Sequence, residues 1–398
     1  MNIPQGYKQT ELGLIPEDWE VKQISDFTSV VTGGTPSTQH AEYWGGDIRW
    51  MNSGELNLKF VYDVEGRITE EGLNNSSTHI IPAKCVLVGL AGQGKTRGTA
   101  AYNLVSLCTN QSIAAFLPTK THSSLYLYYV IDSLYDYLRL LSSGDGGRGG
   151  LNKQILSSLN IVFPPIAEQR AIAEALSDVD GLIAALDKKI AKKRLLKQGA
   201  MQQLLTGKKR LPGFTDEWVE KKVKDVFRVT RGYVLATNKV VERPDGYYKY
   251  PVFSSQTQNN GVMGYYSDYL FEDAITWTTD GANAGEVNYR QGKLYCTNVC
   301  GVLISEEGYA NECIASIINM VAKSHVSYIG NPKLMNNVMA DIEICIPPSI
   351  KEQQAIATIL SDMDKEIADL EAQRDKYRLL KSGMMQKLLT GQIRLKNE

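Results

Sequence analysis

Residues 163–211 read FPPIAEQRAIAEALSDVDGLIAALDKKIAKKRLLKQGAMQQLLTGKKRL, and residues 346–395 read IPPSIKEQQAIATILSDMDKEIADLEAQRDKYRLLKSGMMQKLLTGQIRL. The two stretches are copies of one another, offset by 183 positions at the prolines and by 184 after a one-residue insertion. A repeat of this kind governs the organisation of the whole chain. The chain is therefore a variable region, a repeat, a second variable region and a second repeat.

Both repeats have the spacing of a long helix that pairs with another helix. A proline pair lies at the start of each copy, ahead of the predicted helix, and Gly207 and Gly391 lie where a helix should end. The first copy predicts a helix from Ala167 to Leu205, which at 1.5 Å per residue is a rod of roughly 58 Å. Either helix could pack on its own variable region, but two equal seams favour mutual pairing. The predicted coiled-coil seam is Ile172, Leu176, Val179, Ile183, Leu186 and Ile190 in the first copy and Ile356, Leu360, Met363, Ile367, Leu370 and Tyr377 in the second.

The variable regions have a mixed α/β character. Short β-like runs such as CVLVGL, YKYPVF, AITWTT and KLYCTNVCGVLI alternate with turns of Gly, Asn and Asp. Each region also has one predicted helix late in its course, SSLYLYYVIDSLYDYLRLL and ANECIASIINMVAKS. Trp19 aligns with Trp218 and Gly33 with Gly232, so the two diverged regions are predicted to share one fold.

These features predict an α+β fold class, in which two similar mixed α/β domains are joined by two long antiparallel coiled-coil helices with pseudo-two-fold symmetry. The 398 residues, 43% of them hydrophobic, suffice for two or three packed domains. The predicted domains are 1–150, the first mixed domain; 151–211, the central repeat with the first long helix; 212–343, the second mixed domain; and 344–398, the C-terminal repeat with the second long helix.

Cysteine usage and hydropathy bear on the compartment. The six cysteines form no CxxC pair, which favours buried free thiols in a reducing compartment over disulfides or a zinc site. No apolar run approaches the roughly 20 residues of a membrane span. The polar stretch MNIPQGYKQTELGLIPEDWE lacks the apolar core of a signal peptide. We therefore expect a cytoplasmic protein without a metal site.

No catalytic motif withstands inspection. GLAGQGKT at residues 89–96 fits the phosphate-loop pattern, but the β-like TAAYNLVSLC follows it where a phosphate loop needs a helix. Asp178 and Asp180, repeated as Asp362 and Asp364, are two residues apart on predicted helices and so point in different directions. The chain is predicted to be non-catalytic, and a phosphate-loop NTPase is a remote alternative.

The order of these parts resembles the specificity subunits of type I restriction-modification systems. The resemblance is carried by GYKQTELGLIPEDWEV near the start and by the twin segments of the form PPxxEQ…LSDxD…RLLKxGxMQxLLTG, with one extra residue before EQ in the second copy. Looser matches are GGTPS followed by YWGGDIRW, and YPVFSSQTQNNGVMGYY followed by AITWTTDGANAG. Together these pieces cover nearly the whole chain.

The resemblance implies that each variable region is a target-recognition domain reading one half of a split site in double-stranded DNA. The repeated helices would space the two domains and dock DNA methyltransferase subunits, of which two are expected. A restriction subunit with translocase and nuclease activity would join separately. S-adenosylmethionine and ATP are thus expected on partner subunits, with no cofactor on this chain and no membrane partner.

Two similar domains related by an approximate two-fold axis match the local two-fold axes of B-DNA. Because the two domains have diverged, we expect a bipartite site whose halves differ in sequence. The half-sites would lie roughly 10–10.5 bp apart, which leaves an unread spacer of about six base pairs.

Gly-rich loops with basic or amide side chains are the candidates for base contacts. The DNA backbone can approach closely there, Arg pairs with guanine, and Asn or Gln pairs with adenine. The alternative for each residue is an ordinary solvated loop. The candidates are Lys95, Arg97, Arg148 and Lys153 in the first region and Arg231, Tyr233, Gln256, Gln258, Asn259, Asn260, Asn331 and Lys333 in the second.

The charge distribution argues against strong DNA binding by the variable regions alone. The net charge is −4 over residues 1–150, +6 over 151–210, −4 over 211–343 and +1 over 344–398. The basic excess lies in KKIAKKR and GKKR, which fit a solvated helix face or a partner contact as well as a DNA contact. A coiled-coil scaffold with two protein-binding arms is therefore the alternative function.

We predict that the isolated chain binds duplex DNA weakly and with strong salt sensitivity, because acidic recognition domains neutralise few phosphates. Binding should become much tighter once basic partner subunits enclose the duplex. Titration of a labelled duplex with and without partners measures the difference. Tight specific binding by the chain alone would contradict the prediction.

Overall fold

The computed structural model describes residues 3–92, 96–142, 150–255 and 258–396. The chain divides into two compact units, the first comprising Met1–Leu186 with Gln373–Glu398 and the second comprising Asp187–Ala372. Each unit thus contains one variable region and portions of both repeats.

The first unit is built from short strands and helices. Its strands are β1 Tyr7–Thr10, β2 Gly13–Pro16, β3 Glu20–Gln23, β4 Val30–Thr32, β5 Trp44–Met51, β6 Phe60–Val61, β7 Arg67–Ile68, β8 Val86–Gly89, β9 Ala100–Asn103, β10 Cys108–Thr109, β11 Ile113–Phe116 and β12 Asn160–Phe163. Its helices are α1 Glu70–Asn74, α2 Ser124–Ser133, α3 Tyr135–Leu141, α4 Lys153–Ser157 and the start of α5 Ile166–Leu204.

The second unit has fewer and longer strands. These are β13 Val219–Lys222, β14 Arg228–Arg231, β15 Tyr250–Phe253, β16 Val262–Tyr266, β17 Phe271–Thr278, β18 Val287–Cys296, β19 Cys300–Ile304 and β20 Glu343–Ile346. Its helices are α6 Val223–Val226, α7 Glu312–Ala322, α8 Asn336–Asp341 and the start of α9 Ile350–Leu388.

Five strands of each variable region follow the same order. The sheet of the first unit is β4-β11-β8-β9-β6, and that of the second is β14-β19-β17-β18-β15 with β16 added at the edge. In both sheets the first four strands pair antiparallel, and the last pair, β9 with β6 or β18 with β15, is parallel. The expectation that the two diverged regions share one fold is confirmed.

A glycine that recurs in both regions follows the first strand of this sheet. A Cβ atom at Gly33 would lie 1.9 Å from the carbonyl oxygen of Thr109, and one at Gly232 would lie 2.0 Å from that of Cys296. Only a residue without a Cβ atom permits such a close backbone approach. The alignment of these two glycines therefore reflects a packing requirement common to both sheets.

One predicted strand, one predicted helix and one predicted buried cysteine differ from the structure. The run KLYCTNVCGVLI is two strands, β18 and β19, joined by the turn of residues 297–299. The late helix of the first region breaks at Leu134 into α2 and α3, beside the Ser133 hydroxyl that binds the carbonyl of Val130. Cys345 is exposed whereas the other five cysteines are buried, because β20 turns Ile344 and Ile346 inward and Cys345 outward.

The two long helices contain 39 residues each. Both stop just before a glycine in the left-handed conformation, Gly207 with φ 68° and Gly391 with φ 72°. In the first unit the start of α5 lies beside the end of α9, and in the second the start of α9 lies beside the end of α5. The predicted antiparallel arrangement is therefore found in each unit.

Repeat-related ion pairs connect the helices. Lys381 Nζ lies 2.7 Å from Asp180 Oδ1 in the first unit, and Lys197 Nζ lies 2.5 Å from Asp364 Oδ1 in the second. In both cases the lysine of RLLK meets the second aspartate of LSDxD in the other copy. The second aspartate of each motif thus contributes to helix pairing.

The proposed seam is largely shielded from solvent. Ile172 and Leu176 join the apolar core of the first unit, and Ile356 and Leu360 join that of the second. These four positions pack on the variable regions as well as along the helices. The buried seam residues are Ile172, Leu176, Val179, Ile190, Ile356, Leu360, Ile367 and Leu370, and the half-buried ones are Ile183, Leu186, Met363 and Tyr377.

Buried glutamates join the helix ends. The Glu168 side chain, 5% exposed at the start of α5, accepts two hydrogen bonds of 2.7 Å from Arg394, which follows α9. The Trp19 indole N–H also donates to Glu168, at 2.9 Å. Burial raises the pKa of Glu168, but the bonds from Arg394 and Trp19 outweigh it, so the net pKa is lowered. Arg394 also binds Asp18 and lowers the pKa of that carboxyl to about 2.

The second unit repeats this arrangement. The Glu352 side chain, 1% exposed at the start of α9, accepts bonds of 2.8 and 2.9 Å from Arg210, which follows α5. The Trp218 indole nitrogen lies 3.5 Å from the same carboxylate. We call these two ion pairs, Glu168 with Arg394 and Glu352 with Arg210, the helix locks.

The neighbouring glutamine completes each helix start. The side-chain amide of Gln169 donates to the Pro164 carbonyl at 2.8 Å, and that of Gln353 donates to the Pro347 carbonyl at 2.8 Å. The EQ dipeptide of the repeat therefore anchors the helix start through the glutamine and the other helix through the glutamate. Among the described residues, none of the helices combines the length and apolarity needed to cross a membrane.

We predict that Arg210→Met lowers the free energy of unfolding by about 3–5 kcal/mol, because it leaves the Glu352 carboxylate buried without its cation. The matched control is Lys193→Met, which breaks an exposed pair with Glu366 between the same helices and should change stability by about 1 kcal/mol or less. Urea denaturation measures both. Equal effects of the two substitutions would refute the lock.

Candidate nucleic-acid interface

In the first region, the described candidates occupy different environments. Arg97 is half-buried, with Nη1 3.3 Å from the hydroxyl of Ser142 at the end of α3, and its Nε is buried without a partner among the described residues. Lys153 is exposed at the first position of α4. Lys95 and Arg148 lie outside the described residues. Of the two described candidates, Lys153 is the better placed for a solvent-side ligand.

The phosphate-loop pattern leads into a strand. Its central residues lie outside the described part of the chain, but Thr96 is described and its carbonyl accepts the N–H of Thr99 in a turn. β9 follows at once, so the sequence after the pattern supplies no helix N-terminus for phosphates.

In the second region, Arg231 and Tyr233 lie against the turn between β18 and β19. Arg231 Nη2 donates to the Asn298 carbonyl at 2.6 Å. The Tyr233 N–H donates to the Cys296 carbonyl at 3.0 Å, and the Tyr233 side chain is 64% exposed. This turn therefore holds an aromatic and a basic side chain at one place on the surface.

Asn331 and Lys333 belong to a closed loop. Backbone hydrogen bonds of 2.8 and 2.9 Å connect Ser327 and Lys333 in both directions, and the Pro332 carbonyl accepts the N–H of Gly281. Both candidate side chains are exposed, and Lys333 Nζ lies 3.7 Å from a carboxylate oxygen of Asp280. The loop is thus tied to the turn between β17 and β18.

Thr279 brings these two groups of candidates together. Its N–H and its hydroxyl bind the Val299 carbonyl, at 3.1 and 2.9 Å, in the turn that carries the contacts of Arg231 and Tyr233. Its carbonyl accepts the N–H of Leu334 at 2.9 Å, next to Lys333. Four predicted candidates from distant parts of the sequence therefore gather around one threonine: Arg231, Tyr233, Asn331 and Lys333.

Asn259 and Asn260 form an exposed pair in the connection between β15 and β16, directly before Gly261 and β16. Gln256 and the side chain of Gln258 lie outside the described residues. The carbonyl of Asn260 accepts a 2.8 Å hydrogen bond from Arg290 on β18. Arg290 was not among the candidates, because a single arginine within a strand gives no sequence signal.

Two further groups of exposed apolar or aromatic side chains were not predicted from the sequence. Tyr328 and Ile329, in the loop that carries Asn331, are 70% and 94% exposed. On the long helices, the exposed leucine pairs of RLLK recur in both copies: Leu195, Leu196, Leu379 and Leu380 are 68%, 51%, 76% and 50% exposed. Across the described ranges, no group of three or more His, Cys, Asp and Glu side chains could hold a metal ion.

A family model described as the type I restriction modification DNA specificity domain matches the chain twice, at residues 16–193 and 215–377. Each match includes one variable region and most of the long helix that follows it.

Individual relatives agree with this match. The chain is 35% identical over 185 residues to the Type I restriction enzyme MjaIX specificity subunit of Methanocaldococcus jannaschii, an alignment covering 44% of this chain and 41% of that relative. The chain thus spans less than half of that relative. It is 24% identical to the MjaVIII specificity subunit of the same organism across 99% of both chains.

Solved structures share the fold. The S subunit of a type I restriction-modification system from M. genitalium superposes with a TM-score of 0.66 at 16% identity, covering 98% of both chains. A chain from a structure on complex assembly and conformational transition of the type I R-M system gives a TM-score of 0.57 at 12% identity, covering 95% of this chain and 99% of that one.

We predict that Lys153→Ala and Lys333→Ala each weaken DNA binding by the complex with its partner subunits and reduce the slope of log K against log salt by about one, because a lysine that contacts a phosphate displaces one counterion on binding. Lys84→Ala removes an exposed charge outside the candidate set and is the control. Binding isotherms at several salt concentrations give the slopes. Slopes unchanged from the wild type would remove these lysines from the interface.

Proposed function

This chain belongs to the type I restriction-modification DNA specificity family, and from that premise we propose that it selects the DNA sequence on which a multisubunit modification and restriction enzyme acts. One observation carries the proposal: the same five-strand order occurs twice, and each copy is followed by a helix of 39 residues. Two similar recognition domains, each followed by a long helix, suit a DNA site made of two half-sites.

We propose that each variable region reads one half-site. The stretches that carry the candidates differ in sequence between the two regions, so the half-sites should differ too. Half-sites on the same face of B-DNA are about one turn, roughly 10–10.5 bp, apart, which leaves an unread spacer of about six base pairs. The paired helices would set that spacer.

The repeats are the proposed docking sites for partner subunits. Leu195 and Leu196 on α5 are exposed, as are their repeat equivalents on α9, Leu379 and Leu380. Exposed apolar side chains at equivalent positions favour the binding of one partner twice. We propose two DNA methyltransferase subunits at these positions, with restriction subunits joining separately.

The chemistry would then reside in the partners. We propose that S-adenosylmethionine and ATP bind to the methyltransferase and restriction subunits, and that this chain is non-catalytic. The candidate loops of the second region carry amide, phenol and cationic groups, which suit recognition of base edges and phosphates.

A scaffold with two protein-binding arms is the second candidate, favoured by the acidity of the variable regions, each of net charge −4 in the ranges 1–150 and 211–343. A mobility-shift assay with random duplexes and all partner subunits separates the two functions. Selection of a common bipartite sequence supports recognition, whereas indifference to sequence supports the scaffold.

Insertion of four residues into both long helices, after Leu186 and after Ala372, should lengthen the spacer. Four helical residues add about 6 Å, which corresponds to about one to two base pairs at roughly 3.4 Å each. Methylome sequencing of a host that carries the complete system reads the spacer directly. The control inserts four residues into α5 alone, which should misalign the helix locks and reduce stability. An unchanged spacer in the double insertion would refute the ruler.

A further inference from the structure

The turn between β15 and β16 has an unusual backbone. Asn259 and Asn260 have φ values of 51° and 53°, and Gly261 follows with φ 81°. Residues 254–261 join β15 to β16, and the last three of them follow one another in the left-handed region. Left-handed geometry is disfavoured for residues with a side chain, although asparagine tolerates it better than most. The two exposed asparagine side chains therefore project from a backbone conformation that few other residues adopt.

A buried arginine holds this turn. Arg290 is 8% exposed, and its Nη1 donates to the Asn260 carbonyl at 2.8 Å and lies 3.5 Å from the side-chain oxygen of Asn260, so of the two amides that of Asn259 is the one without a contact to Arg290. Its Nε donates to the Thr276 hydroxyl at 3.2 Å, and its guanidinium lies 4.1 Å from the ring centroid of Phe253. Among the described residues, no carboxylate forms an ion pair with Arg290. Two glutamates interact with Arg290 electrostatically without reaching ion-pair distance. The hydrogen bond to the Asn260 carbonyl ties the guanidinium to the turn.

The turn is also connected to the other candidates. The Thr297 N–H binds the Phe253 carbonyl at 2.9 Å, and its hydroxyl binds that of Ser254 at 3.1 Å. Thr297 begins the turn against which Arg231 and Tyr233 lie. The end of β15, where the connection to the asparagine pair begins, is therefore held against the same group of loops as the other candidates of the second region.

We propose that the Asn259–Asn260 turn reads the adenine of an A·T pair in the half-site bound by the second region, and that Arg290 is the positioning residue that holds the turn in place. This inference rests on the proposed function. An asparagine side chain accepts a hydrogen bond from adenine N6–H and donates one to adenine N7 in the major groove. A turn held in advance loses little conformational entropy on binding, which strengthens the contact.

The test replaces each amide without disturbing the backbone. Asn259→Gly and Asn260→Gly remove the side chains and keep the left-handed conformation. The probe is the cognate duplex with 7-deazaadenine, which lacks the N7 acceptor, at each adenine of the second half-site in turn. At one position the wild-type complex should lose about 5- to 100-fold in affinity, and at least one variant should show no further loss there.

Arg290→Lys tests the positioning role. Lysine keeps the charge but lacks the planar fork that binds Thr276 and Asn260 together. The variant complex should lose the penalty for 7-deazaadenine at that same position and keep its discrimination at every other base pair. A merely structural role would weaken discrimination at all positions of the half-site. Asn337→Ala, an exposed amide of the same region, is the control and should behave like the wild type.

The outcomes separate this inference from the proposed function. If the wild-type complex selects no bipartite sequence, the proposed function fails. If it does select one, but both glycine variants retain the 7-deazaadenine penalty at every adenine, only the present inference is overturned. A second half-site without any adenine on either strand also overturns it.

Discussion

A carboxylate buried among apolar side chains needs a cation, and this constraint connects the two repeats. Glu168 at the start of α5 forms an ion pair with Arg394, which follows α9. Glu352 at the start of α9 forms the equivalent pair with Arg210, which follows α5. Loss of either arginine leaves a buried carboxylate unpaired. This lowers the free energy of unfolding far more than loss of an exposed ion pair does. Each helix start therefore requires the other helix's end.

The two ion pairs distinguish residues that recur in both halves of the chain from loops that differ between them. The glutamate, the glutamine, the arginine and the tryptophan recur because each has a fixed partner in the framework. The loops that carry the candidate base contacts have no such fixed partners, although a glycine required by close backbone packing, Gly33 or Gly232, recurs beside them. This division lets the loops change while the framework stays folded.

The sequence predicted the framework better than the interface. The helix expected from Ala167 to Leu205 begins and ends one residue earlier, since prolines and glycines signal helix limits locally. Partners across the fold leave no local signal: Arg394 and Glu168 are 226 positions apart. The same holds for Arg290, whose role follows from Asn260, 30 positions away. Arg231 and Lys333 likewise come together near Thr279 because of the order of strands in the sheet, and the spacing of residues in the sequence does not reveal that order. The choice among the candidate base contacts is still a prediction.

The equivalence of the two locks has an evolutionary consequence. A protein ending at Leu211 would contain one variable region and one long helix, with both Glu168 and Arg210 lacking the ion-pair partner that the second repeat supplies. Two such identical chains can satisfy each other, with Glu168 of each copy taking Arg210 of the other. The resulting homodimer would recognise a palindrome, and fusion of two duplicated genes would then free the halves to drift toward unlike targets.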